Sequence, residues 1–209
     1  MRSSLRIGID FDNTIIAYDA VFSAAAKACG LIEPGVSGSK QAVRDAIRRL
    51  PDGELAWQRL QGQVYGKGIS GAKMVPGVEA FLRRCRTEGC MVAVVSHKTE
   101  YGHFDPDRVN LRNAALNWMA AQGLLDGDRG VARADVYFES TRAEKVKRIA
   151  ALSLTHFIDD LSEVLTDPYF PPNVERILFG DTARPASSSY TICSSWLDIE
   201  QQVFGGVGP

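Results

Sequence analysis

Asp10 and Asp12 stand two positions apart, immediately after the apolar run Leu5-Arg6-Ile7-Gly8-Ile9. A short segment rich in β-branched residues that stops abruptly at acids reads as a buried strand. Residues i and i+2 of an extended chain project to the same side, so the two carboxylates can converge on one point. Like charges taken out of water are expensive. A divalent cation with oxygen ligands is the usual way to make such a pair tolerable. The run His156-Phe157-Ile158 repeats the pattern and ends in Asp159-Asp160. Neighbouring parallel strands would bring all four acids to one rim, and the carboxyl rim of an open α/β sheet is where ligands bind.

Holding those acids together requires alternating strands and helices, and the sequence reads that way. After the first acids come three helical patterns: Ala20 to Cys29, closed by Gly30; Val43, Ala46, Ile47 and Leu50, stopped by Pro51; and a helix capped by Asp52 with Trp57, Leu60 and Val64 on one face. Residues 66–71, rich in glycine, read as a flexible return, and residues 17–72 as a helical insertion without a strand. Pro76 and Gly77 open a helix that Gly89 ends, and Met91 to Val95 is a buried strand ending at Ser96. Asp105-Pro106 starts a helix carrying Leu111, Ala115 and Trp118, with Gly123 as its stop. Val136 to Phe138 is a strand, and Thr141-Arg142-Ala143-Glu144 is a capping box that puts Lys145 in the first helical turn. Strands at 176–179 and 190–193 and a helix at 196–204 complete the chain. The alternation predicts an α/β protein, a three-layer Rossmann-like parallel sheet covered on both faces, with 1–16 and 73–209 as the core and 17–72 as a small helical cap.

Composition narrows the function. The chain has 209 residues, 45% hydrophobic and 23% charged, enough for one core domain plus an insertion. A net charge of −1 offers no electrostatic footprint for a nucleic-acid polymer or an anionic membrane. No segment reaches the apolar length of a membrane span. The four cysteines, Cys29, Cys85, Cys90 and Cys193, have neither CxxC spacing nor disulfide density, and read as small apolar residues in a reducing compartment. A cytoplasmic protein, monomer or homodimer, is the expectation, and a small phosphorylated molecule stays compatible with this composition because its charge is met locally.

With these residues in view, the chain resembles the haloacid dehalogenase superfamily of phosphatases and phosphotransferases. The resemblance covers all but the helical insertion and lies in four motifs in order: Asp10-x-Asp12-x-Thr14, Ser96 after Val94-Val95, Lys145, and Asp159-Asp160. It implies that Asp10 is a nucleophile forming an aspartyl phosphate, and that Asp12 is the general acid and then the base. Dehalogenating members lack an acid at the position of Asp12, so its presence speaks for phosphoryl chemistry. Ser96, with the N–H of His97, would bind a phosphate oxygen, Thr14 would orient the nucleophile loop, and Lys145 would stabilise developing charge. Mg²⁺ would be held by Asp10, the main-chain carbonyl of Asp12, and Asp159 or Asp160, a choice the sequence leaves open.

The rival lysine, Lys147, falls about half a turn away and reads as solvated. His103 and His156 have no ligand spacing and read as structural; Lys98 and Thr99 follow His97 at the same rim. The insertion resembles the family's cap, which chooses the substrate, and Tyr18, Arg44, Arg59, Lys67 and Lys73 are its polar candidates. The expected activity is a Mg²⁺-dependent phosphatase acting on a sugar phosphate or nucleotide. The alternatives are a phosphotransferase or phosphomutase with the same nucleophile, and a metal-binding regulatory protein without turnover.

Overall fold

The computed structural model describes residues 5–35, 38–105, 107–125, 130–180 and 189–205. In chain order the elements are β1 (Arg6–Ile9), β2 (Ile16–Ala17), α1 (Asp19–Ala28), α2 (Lys40–Arg48), α3 (Gly53–Tyr65), β3 (Lys73–Met74), α4 (Val78–Thr87) and β4 (Met91–His97). These are followed by α5 (Leu111–Ala121), β5 (Val136–Glu139), α6 (Arg142–Ala151), β6 (His156–Asp159), α7 (Ser162–Leu165), β7 (Glu175–Phe179), β8 (Thr191–Cys193) and α8 (Trp196–Phe204). Contacts divide the chain into two compact units, residues 1–15, 74–97 and 122–209, and residues 16–73 and 98–121.

The first unit is built on a six-stranded sheet in the order β5-β4-β1-β6-β7-β8, with every pairing parallel. The order grows outward from β1 in one direction and then, from β6, in the other. A switch point therefore lies between β1 and β6, where ligands of open α/β sheets bind. Strand side chains alternate faces. Ala93, Val95, Phe157 and Leu178 join Val146 and Ile149 of α6 and Val164 and Leu165 of α7 in one apolar cluster. Ile7, Ile9, Val94, Ile158 and Ile177, all fully buried, occupy the alternate positions. Helices α4 and α8 supply Phe81, Trp196 and Phe204, whose rings meet with centroids 5.0 and 5.8 Å from that of Phe81. Burial on both faces explains why these strands read as continuous apolar runs rather than alternating ones.

The second unit holds α1, α2, α3 and α5, packed around Phe22, Ile47, Trp57, Leu60 and Trp118. Phe22 stacks on Trp57 with centroids 4.9 Å apart. This places 98–121 with the helical insertion, whereas the sequence assigned that stretch to the core. The cause is long-range packing. The Trp118 indole N–H donates to the Ala72 carbonyl at 3.1 Å. Gly102 also approaches α3 so closely that a Cβ there would stand 2.7 Å from the Gly62 Cα.

Four local expectations are corrected. The insertion is not strand-free, because Ile16–Ala17 and Lys73–Met74 form a short ribbon. Residues 67–71 form a 3-10 turn rather than a flexible return. Asp52 precedes α3 in the left-handed region, φ 54°, and its side chain caps nothing. The chain turns there so tightly that a Cβ on Gly53 would collide with the Ile47 carbonyl. Helix α5 begins at Leu111 instead of at Asp105-Pro106. Pro106 lies outside the described residues. The Asp105 carboxylate instead accepts the N–H groups of Asp107 and Val109, at 3.1 and 2.9 Å, and so braces a loop.

Candidate active site

Register fixes the acids. Ile9 pairs with Val94 on one side and with Ile158 on the other, so Asp10 and Asp159 come next in line on adjacent strands. The Asp10 N–H extends the ladder by donating to the Ile158 carbonyl at 2.9 Å. Ser96, buried, stands near the carboxyl end of β4, the other neighbour of β1. All of these residues are at the same edge of the sheet, because the strands are parallel.

Lys145 reaches that edge from α6. Thr141 accepts the Glu144 N–H at 3.2 Å and Glu144 accepts the Thr141 N–H at 3.0 Å, a complete capping box. The helix start is therefore fixed, and Lys145 falls one turn inside it. Its side chain is fully buried, with Nζ 2.6 Å from both Asp10 Oδ1 and Asp159 Oδ2. Lys147, two residues on, is exposed. A cation without water is costly, and burial alone would lower the Lys145 pKa. The Asp10 and Asp159 carboxylates outweigh that and raise it. Asp159 has one ammonium to share with a second carboxylate. Burial pushes it up to about 7 and Asp10 adds to the rise, against the opposing pull of Lys145 and the Leu161 N–H, which donates to Oδ1 at 2.9 Å.

Carboxylate oxygens of Asp10, Asp159 and Asp160 lie within 4.8 Å of one another. Three acids with one lysine leave a negative excess in a largely buried site. Hard oxygen donors in that number suit a divalent cation such as Mg²⁺ or Ca²⁺, and no sulfur or imidazole ligand joins them among the described residues. Asp12, half-buried, contributes no carboxylate oxygen to this trio. Its expected share in metal binding was the main-chain carbonyl.

Thr14 is fully buried. Its carbonyl accepts the Trp196 indole N–H at 3.1 Å, while its hydroxyl has no partner among the described residues. His97 is exposed at the strand end. His156 sits at the opposite end of β6, with Nε2 3.2 Å from Glu175 and Nδ1 2.9 Å from the Thr155 hydroxyl, so its surroundings are structural. Sequence reasoning missed Asn13. It takes a left-handed turn, φ 59°, and its amide donates to Asp160 Oδ2 at 3.1 Å, tying the two acidic segments together. The available signal was its residue type, since Asn adopts that conformation more readily than most.

No family model and no curated protein matches the sequence. Solved structures do match in shape. The structure of protein tyrosine kinase A from Mycobacterium tuberculosis aligns over 98% of this chain and 100% of its own, at 15% identity and a TM-score of 0.63. A haloacid dehalogenase-like hydrolase from Streptococcus pneumoniae aligns over 97% and 100%, at 13% identity and 0.61. The fold is that of the haloacid dehalogenase-like hydrolases. A predicted phosphoglycolate phosphatase from Haemophilus somnus shares it over 97% of this chain and 99% of its own, at 15% identity and 0.57. Sequence identities this low speak for the haloacid dehalogenase-like architecture alone; any activity must be argued from the residues at the rim.

Proposed function

We propose that the protein is a Mg²⁺-dependent phosphatase that hydrolyses a small phosphate monoester through a phosphorylated Asp10. The observation that carries this reading is the buried ammonium of Lys145, held 2.6 Å from both Asp10 and Asp159 at the switch point of the sheet. Bound at Asp10, Asp159, Asp160 and the Asp12 carbonyl, Mg²⁺ would neutralise the repulsion between carboxylates and an incoming phosphate.

The chain's own groups supply the remaining steps. Lys145 holds the Asp10 carboxylate in place and offers positive charge to the phosphoryl oxygens. Ser96 and the N–H of His97 bind a phosphoryl oxygen and orient phosphorus toward Asp10. One Asp10 oxygen attacks phosphorus, the ester P–O bond breaks, and the departing alkoxide takes a proton from Asp12. Asp12, now ionised, accepts a proton from water as that water attacks the acyl phosphate. Inorganic phosphate leaves, and Asp10 and protonated Asp12 are restored. Asp159, besides its place among the metal-holding carboxylates, also fixes Lys145, and Asn13 is a positioning residue acting through Asp160.

A phosphotransferase reading keeps the nucleophile and replaces water with an acceptor hydroxyl. The likeness to a structure described as a protein tyrosine kinase favours testing it alongside. A panel of sugar phosphates and nucleotides, assayed with Mg²⁺ for free phosphate and for phosphorylated products, separates the two. Free phosphate that disappears with Asp10→Asn is the expected result. Release by the variant at the wild-type rate would exclude Asp10 as nucleophile, and a phosphorylated acceptor without free phosphate would favour transfer.

A further inference from the structure

The chemistry at the sheet edge makes no use of a cavity of about 800 Å³ whose walls all belong to the helical unit. Small-molecule sites span about 300–1,000 Å³, and this volume lies inside that range. Val21 and Ala25 stand four residues apart on α1, and Ala56, Leu60 and Val64 repeat the same interval on α3. Each helix therefore turns one apolar stripe toward the space. Two of these five residues are alanines, whose single methyl groups fill little of it. Apolar walls with nothing against them are left facing water, which is unfavourable.

Four charged side chains line the cavity, and three of them have polar partners. The Lys67 ammonium stands 2.7 Å from the Asp107 carboxylate, and the Asp105 carboxylate accepts two main-chain N–H groups of its own loop. Arg59 differs. Among the described residues its one partner is the Phe104 ring, with the guanidinium carbon 6.0 Å from the ring centre. Phe104 is held in the left-handed region, φ 57°, which disfavours a bulky residue, and 59% of it is exposed. The Asp105 hydrogen bonds and the close approach of Gly102 to Gly62 keep the loop in that shape. A strained backbone that displays an aromatic ring to water adds nothing to stability, and such strain is characteristic of ligand-holding segments. An apolar ligand would cover the ring and the two stripes, and an acid group on that ligand would give Arg59 a counter-charge.

We propose that this cavity binds a small anionic amphiphile, an apolar chain ending in one carboxylate. The chain lies along the α1 and α3 stripes and against Phe104, and the carboxylate pairs with the Arg59 guanidinium, whose planar fork suits it. The site needs no residue of the sheet edge and does not depend on the phosphatase reading. Cys29 gives it a built-in reporter, because this exposed thiol is part of the same lining, with Sγ 3.7 Å from Gln63 Oε1.

Decanoate and decan-1-ol, equal in chain length and different in head group, are titrated calorimetrically into the full chain below micelle-forming concentrations. Decanoate should bind at one site per chain and about tenfold or more tighter than the alcohol, the worth of a charge-assisted contact. Arg59→Gln should remove that difference and leave decan-1-ol binding unchanged, with Arg59→Lys restoring part of it. Ala25→Trp, which fills the cavity, should weaken both ligands. Saturating decanoate should also slow the alkylation of Cys29 by N-ethylmaleimide several-fold, followed by peptide mass analysis, and leave the rate at Cys90 of the sheet unit as it was. Ala25→Trp can disturb the packing of α1, so Arg59→Gln, at an exposed side chain, and the Cys29 rate decide without it. No saturable decanoate binding, equal affinity for acid and alcohol, or binding that leaves Cys29 unprotected would each overturn the inference. Neither readout needs turnover. Decanoate binding with Cys29 protection in a protein that hydrolyses no ester would support this site and retire only the phosphatase reading, and phosphate release without decanoate binding would retire only this site.

Discussion

The carboxyl edge of the sheet and the Tyr65 cluster of the helical unit solve the same problem with opposite signs. At the sheet edge three carboxylates gather, and two of them share one ammonium. At Tyr65 two ammonium groups gather on one aromatic ring. The first arrangement is held by rigid elements: the β1–β6 register, the capping box of α6, and the Asn13 amide on Asp160. The second is held by side-chain packing, ring against ring. A site that must place a nucleophile within fractions of an ångström of phosphorus needs the former.

That contrast can be strained most by removing Lys145. Lys145→Met leaves two buried carboxylates without their cation, and the metal-free protein should lose about 3–5 kcal/mol in a denaturant titration. A loss under 1 kcal/mol would mean that the ammonium is not what makes the acids tolerable. Adding Asp159→Asn to that variant should recover part of the loss, since the two side chains share one interaction.

Titration comes next in size. The native Asp159 carboxyl is pushed up to about 7, above the value near 4 of an unfolded aspartate. The folded chain therefore holds that proton where the unfolded chain has lost it, and metal-free stability should fall as pH rises from about 4 to about 7. Mg²⁺ competes with the same proton. Its stabilising effect, about 2–3 kcal/mol at a hundredfold excess over Kd, should be larger at pH 8 than at pH 5.5. Melting curves at both pH values with and without Mg²⁺ check this, and an unchanged or reversed ratio would contradict it.

Two smaller perturbations sharpen the difference between the regions. Tyr65→Leu keeps an apolar side chain but removes the ring under both lysines, and should cost about 1–2 kcal/mol in thermal unfolding. Thr141→Ala opens the capping box of α6 and should cost about 1 kcal/mol. Because it loosens the helix that delivers Lys145, it should also lower kcat, whereas Tyr65→Leu should act on stability and leave kcat near the wild-type value. The reverse pattern would exchange the two regions' roles.

Much of the sheet-edge region was legible in the sequence because its signals are local. Asp10 and Asp159 each end an apolar run, and Thr141 and Glu144 announce a helix start within four residues, which placed Lys145 correctly one turn inside. Lys147 could be set aside by helical spacing alone. What the sequence did not show depends on contacts between distant residues. The membership of 98–121 in the helical unit rests on the meeting of Gly62 with Gly102 and of Trp118 with Ala72, neither of which has a local signature. Asp52 has the residue type of a cap, but the tight passage from α2 to α3 puts its backbone where it cannot cap. Lys98 read as one of several rim residues, and only tertiary packing buries it against Tyr65.

The most direct test is chemical capture at residue 10. Rapid mixing of the protein with Mg²⁺ and whichever phosphate ester the panel shows it to hydrolyse fastest, followed by acid quenching and borohydride reduction, should convert a phosphorylated aspartate to homoserine. Peptide mass analysis should then find that change at Asp10 and not at Asp12, Asp159 or Asp160. Turnover with the change absent from Asp10, or present at another of these acids, would contradict the assignment of Asp10 as the group that attacks phosphorus.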